Sequence, residues 1–201
     1  MITLENLLAQ DDAAASMESI AQGFREQHNL PNIDQLGFCI PSVEEAATRL
    51  ESANHSSDFL ISAATLPRWE ERGIKKSVKG RIGIGYHKKM QIELLEAGKG
   101  TTFYSHLMSK EESTRLHHLG FFVTELGDVT KRMVDVGNSL YVIGKSLVGP
   151  IEINFHYIDS FKALGFYLEF ICCSIDSIPF IPKKSMFRAM ANKQRNTVRI
   201  K

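Results

Sequence analysis

One short phrase occurs twice in this chain: Gln35-Leu36-Gly37-Phe38 returns as His118-Leu119-Gly120-Phe121. The stretches downstream of the two copies also match. The apolar run Ile92-Glu93-Leu94-Leu95 comes after the first, with Glu93 58 residues beyond Gln35. The run Leu168-Glu169-Phe170-Ile171 comes after the second, with Glu169 51 residues beyond His118. Between the ends of each stretch, the periodicity changes in the same order. In the first, Ser42 and Glu45 make an S-x-x-E capping box for a helix that places Val43, Ala46, Ala47 and Leu50 on one face. In the second, 128–136 reads as a helix stopped by Gly137. Strand patterns fall at 35–40, 59–66, 81–86 and 90–95, then at 118–123, 140–144, 151–158 and 165–172. The chain therefore predicts an α+β fold of two tandem βαβββ modules, 32–104 and 105–176.

Both ends lie outside the repeat. Residues 1–31 read as a helical leader. Leu4, Leu7 and Leu8 are followed by Ile20, Phe24 and Leu30, with Asp11-Asp12 placed to cap a helix over 13–27 and Pro31 ending it. Residues 177–201 read as a basic tail. Lys183, Lys184, Arg188, Lys193, Arg195, Arg199 and Lys201 meet no acidic residue after Asp176. Such a tail is either a solvated terminus or a contact arm for a partner subunit or an anionic ligand. Residues 67–79 are polar and basic around Gly73 and predict a flexible loop.

Composition excludes several classes. Apolar residues at 43% and charged residues at 23% are globular values, and 201 residues can bury a core. A net charge of +1 gives no general attraction to nucleic acid or to a membrane surface. Cys39, Cys172 and Cys173 are odd in number and two are adjacent, a poor disulfide framework that fits a reducing compartment. The N-terminal residues lack a basic and then apolar signal pattern, and no apolar run approaches the roughly 20 residues of a membrane span. The expectation is a soluble cytoplasmic protein acting on a small molecule, with no nucleic-acid or membrane partner.

Four polar side chains interrupt otherwise apolar strands at repeat-related places. Side chains alternate along a strand, so Gln35 shares a face with Gly37 and Cys39, while Leu36, Phe38 and Ile40 face a helix-covered core. His118 stands likewise with Gly120 and Phe122. Glu93 and Glu169 are carboxylates in equally apolar strands, where desolvation without a partner is costly. One cup shared by the two halves would gather all four. Their combined charge of −2 would balance a divalent ion. Singly, each has a plainer reading: His118 as a core histidine (or His117 as the inward ring), Gln35 as an edge hydrogen-bonding residue, and the two glutamates on solvated faces.

With these residues in view, the chain resembles the vicinal oxygen chelate superfamily, which includes glyoxalases, methylmalonyl-CoA epimerases and extradiol dioxygenases. The segment Thr101-Thr102-Phe103-Tyr104-Ser105-His106-Leu107 and then Leu116-His117-His118-Leu119-Gly120-Phe121 is similar to that family's linker and second-module opening. The resemblance spans about 33–173. It implies a curved mixed sheet that cups a metal held by Gln35, Glu93, His118 and Glu169. It further implies Zn²⁺ first, with Ni²⁺, Co²⁺ or Mn²⁺ compatible with mixed nitrogen and oxygen donors. The activity implied is that of a glyoxalase-like lyase or isomerase, with Glu169 or Glu93 taking a proton α to a carbonyl on a substrate with vicinal oxygens. The alternative is a metal-free sequestering protein of the same fold. A homodimer, with modules paired within one chain or exchanged between two, is also in keeping with the family. Gln35 in place of a second histidine departs from the iron dioxygenases. Cys39 and Ala97 stand where glyoxalase I has an Arg and an Asn, so glutathione recognition does not carry over. Lesser candidates are Tyr157 and Asp159 at a substrate mouth and Lys99-Gly100-Thr101-Thr102 near an anionic group. Arg81-Ile82-Gly83-Ile84-Gly85 opens no helix and is not a dinucleotide loop.

Overall fold

The two copies of the phrase become neighbouring strands at the centre of one sheet. The computed structural model describes Leu4, Leu8 and residues 13–108 and 114–199. Leu7 and the Asp11-Asp12 cap, like the acidic stretch 111–113, lie outside these residues. The first half runs α1 (Ala13–His28), β1 (Gln35–Ile40), α2 (Val43–Ser52), β2 (Ser57–Thr65), β3 (Arg68–Glu71), β4 (Ile74–Lys75), β5 (Lys79–His87) and β6 (Met90–Glu96). The second runs β7 (Arg115–Phe122), α3 (Leu126–Asp135), β8 (Leu140–Val148), β9 (Ile151–Ile158), α4 (Phe161–Leu164) and β10 (Tyr167–Ile175). The chain ends in β11 (Ile178–Phe180) and α5 (Lys184–Arg199). The strand order is β2-β5-β6-β1-β7-β10-β9-β8-β3-β4, with β11 on β10. The two modules are thus joined within one chain by the antiparallel pair β1–β7.

Alternation along β1 divides the core in two. Leu36, Phe38 and Ile40 pack under the helices with Val43, Ala46, Ala47 and Leu50 of α2 and Val129 and Met133 of α3. Burying a side chain such as Val43 or Leu50 contributes about 1.5–3 kcal/mol. The α2 start is fixed as the capping box predicts: Ser42 Oγ accepts from the Glu45 amide at 3.3 Å. Glu96 of β6 also accepts from the Val43 amide at 3.2 Å, which ties helix to sheet. The opposite, concave face is lined by an aromatic cluster that includes Trp69, Phe103, Tyr104, Phe155 and Tyr157.

Three expectations need correction. Residues 67–79 are not a loop: they form the β3–β4 hairpin, and β3 leaves its own module to pair with β8, with Trp69 opposite Gly144. Only Leu66 and Pro67 separate β2 from β3, yet these strands stand near opposite ends of the sheet order. Consecutive Cα atoms are about 3.8 Å apart, so the sheet must curl until its ends nearly meet. Glu71 anchors the hairpin, accepting from Thr101 Oγ1 at 2.6 Å and pairing with Lys76 at 2.9 Å. The basic tail is neither free nor frayed over 184–199. Phe187 and Ala191 of α5 are buried, and Arg195 pairs with Glu51 at 2.8 Å and Asp58 at 3.3 Å. Gln194 closes the edge of β2 by accepting from the Ile61 amide at 3.0 Å and donating to its carbonyl at 2.5 Å. Its missing acids are supplied by Glu51 and Asp58 from elsewhere in the chain. Finally, Gly165 does not begin the last strand; it ends α4 in the left-handed region at φ 80°.

Candidate metal centre

The strand register assembles the site. Across β1 and β7, Gln35 lies opposite Gly120, and Gly37 lies opposite His118. β6 runs parallel to β1 with Gln91 beside Gln35 and Glu93 beside Gly37. β10 runs parallel to β7 with Tyr167 beside His118 and Glu169 beside Gly120. Two adjacent rows therefore cross the four central strands: Glu93, Gly37, His118, Tyr167 and Gln91, Gln35, Gly120, Glu169. The repeat relates each row to the other. Its glycines have a physical role, because each leaves space for the other module's polar side chain. A Cβ on Gly37 would sit 1.9 Å from His118 Cε1, and one on Gly120 would sit 2.6 Å from Gln35 Oε1.

The four side chains singled out in the sequence meet on the concave face. His118 Nε2 lies 3.0 Å from Gln35 Oε1, 2.9 Å from Glu169 Oε2 and 3.3 Å from Glu93 Oε2. Ligand-type atoms of Glu93, His118 and Glu169 all fall within 4.8 Å of one another, and these residues form a buried group able to hold a metal ion. The donor arrangement fits such an ion. One imidazole nitrogen carries at most one proton, yet three oxygens surround it. Apart from the shared His118 Nε2, the buried Oε2 atoms of both glutamates have no hydrogen-bond partner among the described residues. A shared cation would satisfy both oxygens and would take the nitrogen lone pair. The metal-free alternative predicts carboxylates held apart, which this convergence does not show.

Electrostatics agree with the geometry. Burial alone would lower the His118 pKa, but the Glu169 and Glu93 carboxylates push it up to about 9. Burial raises the Glu93 carboxyl, and His118 only partly reverses this. Tyr104 and Tyr157 meet through their hydroxyls beside the carboxylates. Burial and the two negative charges raise both phenols well above their ordinary range, so they remain protonated donors.

Sequence reasoning missed one participant and offered a second only as an alternative to His118. Gln91 accepts from Gln35 Nε2 at 2.6 Å and donates to Tyr86 Oη at 2.8 Å, so the Gln35 amide oxygen is left facing the site. Its signal was available, since Gln91 precedes Glu93 by two and shares its face. His117 is the second. Simple alternation would send it to the opposite face from His118. Instead the β1–β7 register slips: Gly37 pairs with His118 but Phe38 pairs with Leu116, leaving His117 as the extra residue of a bulge. Both histidines are consequently fully buried on the concave side, with His117 Nδ1 3.1 Å from His118 Nδ1. The sequence question of which histidine points inward is answered by both.

A cavity of about 70 Å³ opens beside Gln35, Glu93 and Glu169, walled by Ile84, Tyr104, Phe155, Tyr157 and Phe187. Tyr157 belongs to it. Asp159 does not, and pairs with Arg72 at 3.5 Å. Lys99 is exposed and joins Lys79 by a backbone bridge, while Thr101 is committed to Glu71. Cys39 is buried and its thiol is raised by burial and by Glu93. Ala97 is exposed at the end of β6.

Neither a scan against sequence-family models nor a search among curated proteins gives a match. Solved structures do. A variant of 4-hydroxymandelate synthase from Streptomyces coelicolor superimposes with a TM-score of 0.50 at 12% identity, over 84% of this chain. The match takes in 55% of the synthase, so this chain spans little more than half of that protein's length. A methylmalonyl-CoA epimerase variant from Streptomyces coelicolor gives 0.47 at 12% identity, covering 76% of this chain and 99% of that one. The epimerase from Mycobacterium tuberculosis gives 0.44 at 14% identity, covering 69% and 85%. With its two βαβββ modules joined through β1 and β7, the chain has the vicinal oxygen chelate fold.

Proposed function

We propose that the protein is a glyoxalase-like lyase or isomerase dependent on a divalent metal. Its substrate would be a small molecule with vicinal oxygens, such as an α-hydroxy ketone or a 2-acyl thioester. The observation that carries this is the convergence of Gln35, Glu93 and Glu169 oxygens on His118 Nε2, beside a cavity. Held by these four residues, a divalent ion, with Zn²⁺ the first candidate and Ni²⁺, Co²⁺ and Mn²⁺ next, would polarise the carbonyl and offset charge developing on its oxygen. Glu169 or Glu93 takes the proton α to that carbonyl and returns it to the neighbouring atom. Burial of Glu93 raises its basicity toward that of a useful general base. The protonated Tyr104 and Tyr157 hydroxyls exclude water and can donate to a substrate oxygen. The apolar walls favour an uncharged substrate body.

Metal analysis of the protein purified without chelators tests the reading, followed by zinc titration of Glu169→Ala and Glu93→Ala. The expected result is one bound divalent ion per chain and an affinity loss in both variants. Absence of bound metal, together with zinc affinity unchanged by Glu169→Ala, would refute it.

A further inference from the structure

One buried residue that the proposed chemistry does not use is His117, which stands against the proposed ligand His118. Its partners determine where its proton must be. His117 Nε2 lies 3.3 Å from the Phe103 carbonyl oxygen, and a carbonyl can only accept, so Nε2 carries the hydrogen. In a neutral ring Nδ1 is then a bare acceptor. The atom 3.1 Å from it is His118 Nδ1, which must therefore be the donor. With one proton kept on Nδ1, His118 Nε2 is the nitrogen that would give up its proton and present a lone pair to an ion, at the point where Gln35, Glu93 and Glu169 converge.

We propose that His117 is a positioning residue that, through the Phe103 carbonyl, fixes His118 with its proton on Nδ1 and its lone pair on Nε2 toward the metal. The inference rests on the metal-site reading above. Its structural basis is the bulge in β7, which turns two consecutive histidines onto one face. The surroundings hold the His117 ring in one orientation. The Phe103, Tyr104, Tyr157 and Tyr167 rings lie around it, with centroids 4.7, 5.1, 5.7 and 5.1 Å away. No carboxylate is needed behind the ligand histidine, because a neutral imidazole with a fixed tautomer supplies the acceptor. The Gln35 side is built on the same plan, with Gln91 and Tyr86 behind the amide.

The test compares His117→Phe, which keeps an aromatic ring and removes the acceptor, with His117→Asn, whose Oδ1 can replace Nδ1 as acceptor. Metal-free protein is titrated with Co²⁺ and Zn²⁺. Removing an outer partner of a ligand histidine typically costs about 10–100-fold in metal affinity, and that loss is expected for His117→Phe, with His117→Asn restoring most of it. Urea unfolding and circular dichroism of the metal-free variants establish whether each folds. The independent readout is nitrogen-15 NMR of histidine-labelled wild type. It should show His117 neutral with the proton on Nε2, and, after zinc addition, His118 with a proton on Nδ1. A wild-type His117 protonated on Nδ1 overturns the inference even if neither variant folds. So does a folded His117→Phe that binds Co²⁺ and Zn²⁺ as tightly as wild type. A wild type that binds neither ion refutes the metal-site reading, and the inference falls with it.

Discussion

Substituting Gly37 by alanine attacks the site through the backbone, with no ligand removed. The added Cβ would lie 1.9 Å from His118 Cε1, against an ordinary carbon–carbon separation of about 3.5–4.0 Å. The ring would have to retreat by roughly 1.6 Å or more, or β1 and β7 would have to part. Overpacking of this kind costs about 1–3 kcal/mol. Retreat also stretches the 3.1 Å contact to His117 and takes Nε2 away from the three oxygens. Metal–ligand distances tolerate only about 0.2 Å, so a shift of this size removes His118 from a shared ion. Urea unfolding of the metal-free protein should show the stability loss. Competition titration with a zinc indicator should show at least about a 100-fold loss of affinity, by analogy with the effect of disturbing a ligand's support. Gly23→Ala in α1 is the control, because among the described residues nothing beyond its chain neighbours and its own helix's backbone lies within 4 Å of its Cβ, and helix propensity favours the change by about 0.5–1 kcal/mol. If Gly37→Ala unfolds within about 0.5 kcal/mol of wild type, the scale of ordinary surface substitutions, and binds zinc equally well, the register argument is wrong.

Other perturbations have equally definite outcomes. His118 holds its proton more tightly folded, with a pKa of about 9, than unfolded, near 6.5. Its contribution to the metal-free protein is therefore complete below pH 6.5 and is lost as pH rises through about 9, amounting to roughly 3 kcal/mol. Denaturation midpoints measured across that window should fall, and a flat profile would contradict the assignment. Saturating zinc should raise the melting temperature, since a ligand at 100 times its Kd stabilises by about 2.7 kcal/mol. Gln91→Leu removes the acceptor for the Gln35 amide and should weaken zinc binding about 10-fold, read by the same competition titration. Gln194→Ala loses both bonds to Ile61 and should cost about 1–3 kcal/mol in urea unfolding, with zinc affinity unchanged.

The sequence made the duplication legible because both copies of the phrase face the same two-sided problem. Leu36 and Leu119 must meet helices, while Gln35 and His118 must meet each other's glycine. The periodic helices α2 and α3 and the polar interruptions at Glu93 and Glu169 were equally visible. What escaped was nonlocal. β3 has only Trp69 as a large apolar side chain among charges, and its strand character comes from β8 in the other module. The α5 helix looks unbalanced in charge because Glu51 and Asp58, which answer Arg195, lie more than a hundred residues earlier. That His117 and His118 both face inward escaped for another reason. Alternation is a rule about regular ladders, and a single extra residue in β7 cancels it.

The β3–β4 hairpin also has a consequence for how the protein is made. Its partner strand, β8, begins at Leu140, nearly 70 residues after Glu71. At about 5–20 residues per second, the ribosome delivers that partner several seconds after the hairpin emerges. Through that interval Trp69 has no Gly144 to lie against, and the β3–β4 hairpin keeps one β3 edge open that only β8 of the second module pairs. Folding of the nascent chain therefore cannot finish module by module. The last step of the first half waits for the second to be synthesised, and a chaperone that shields an exposed tryptophan-bearing strand would act in that interval.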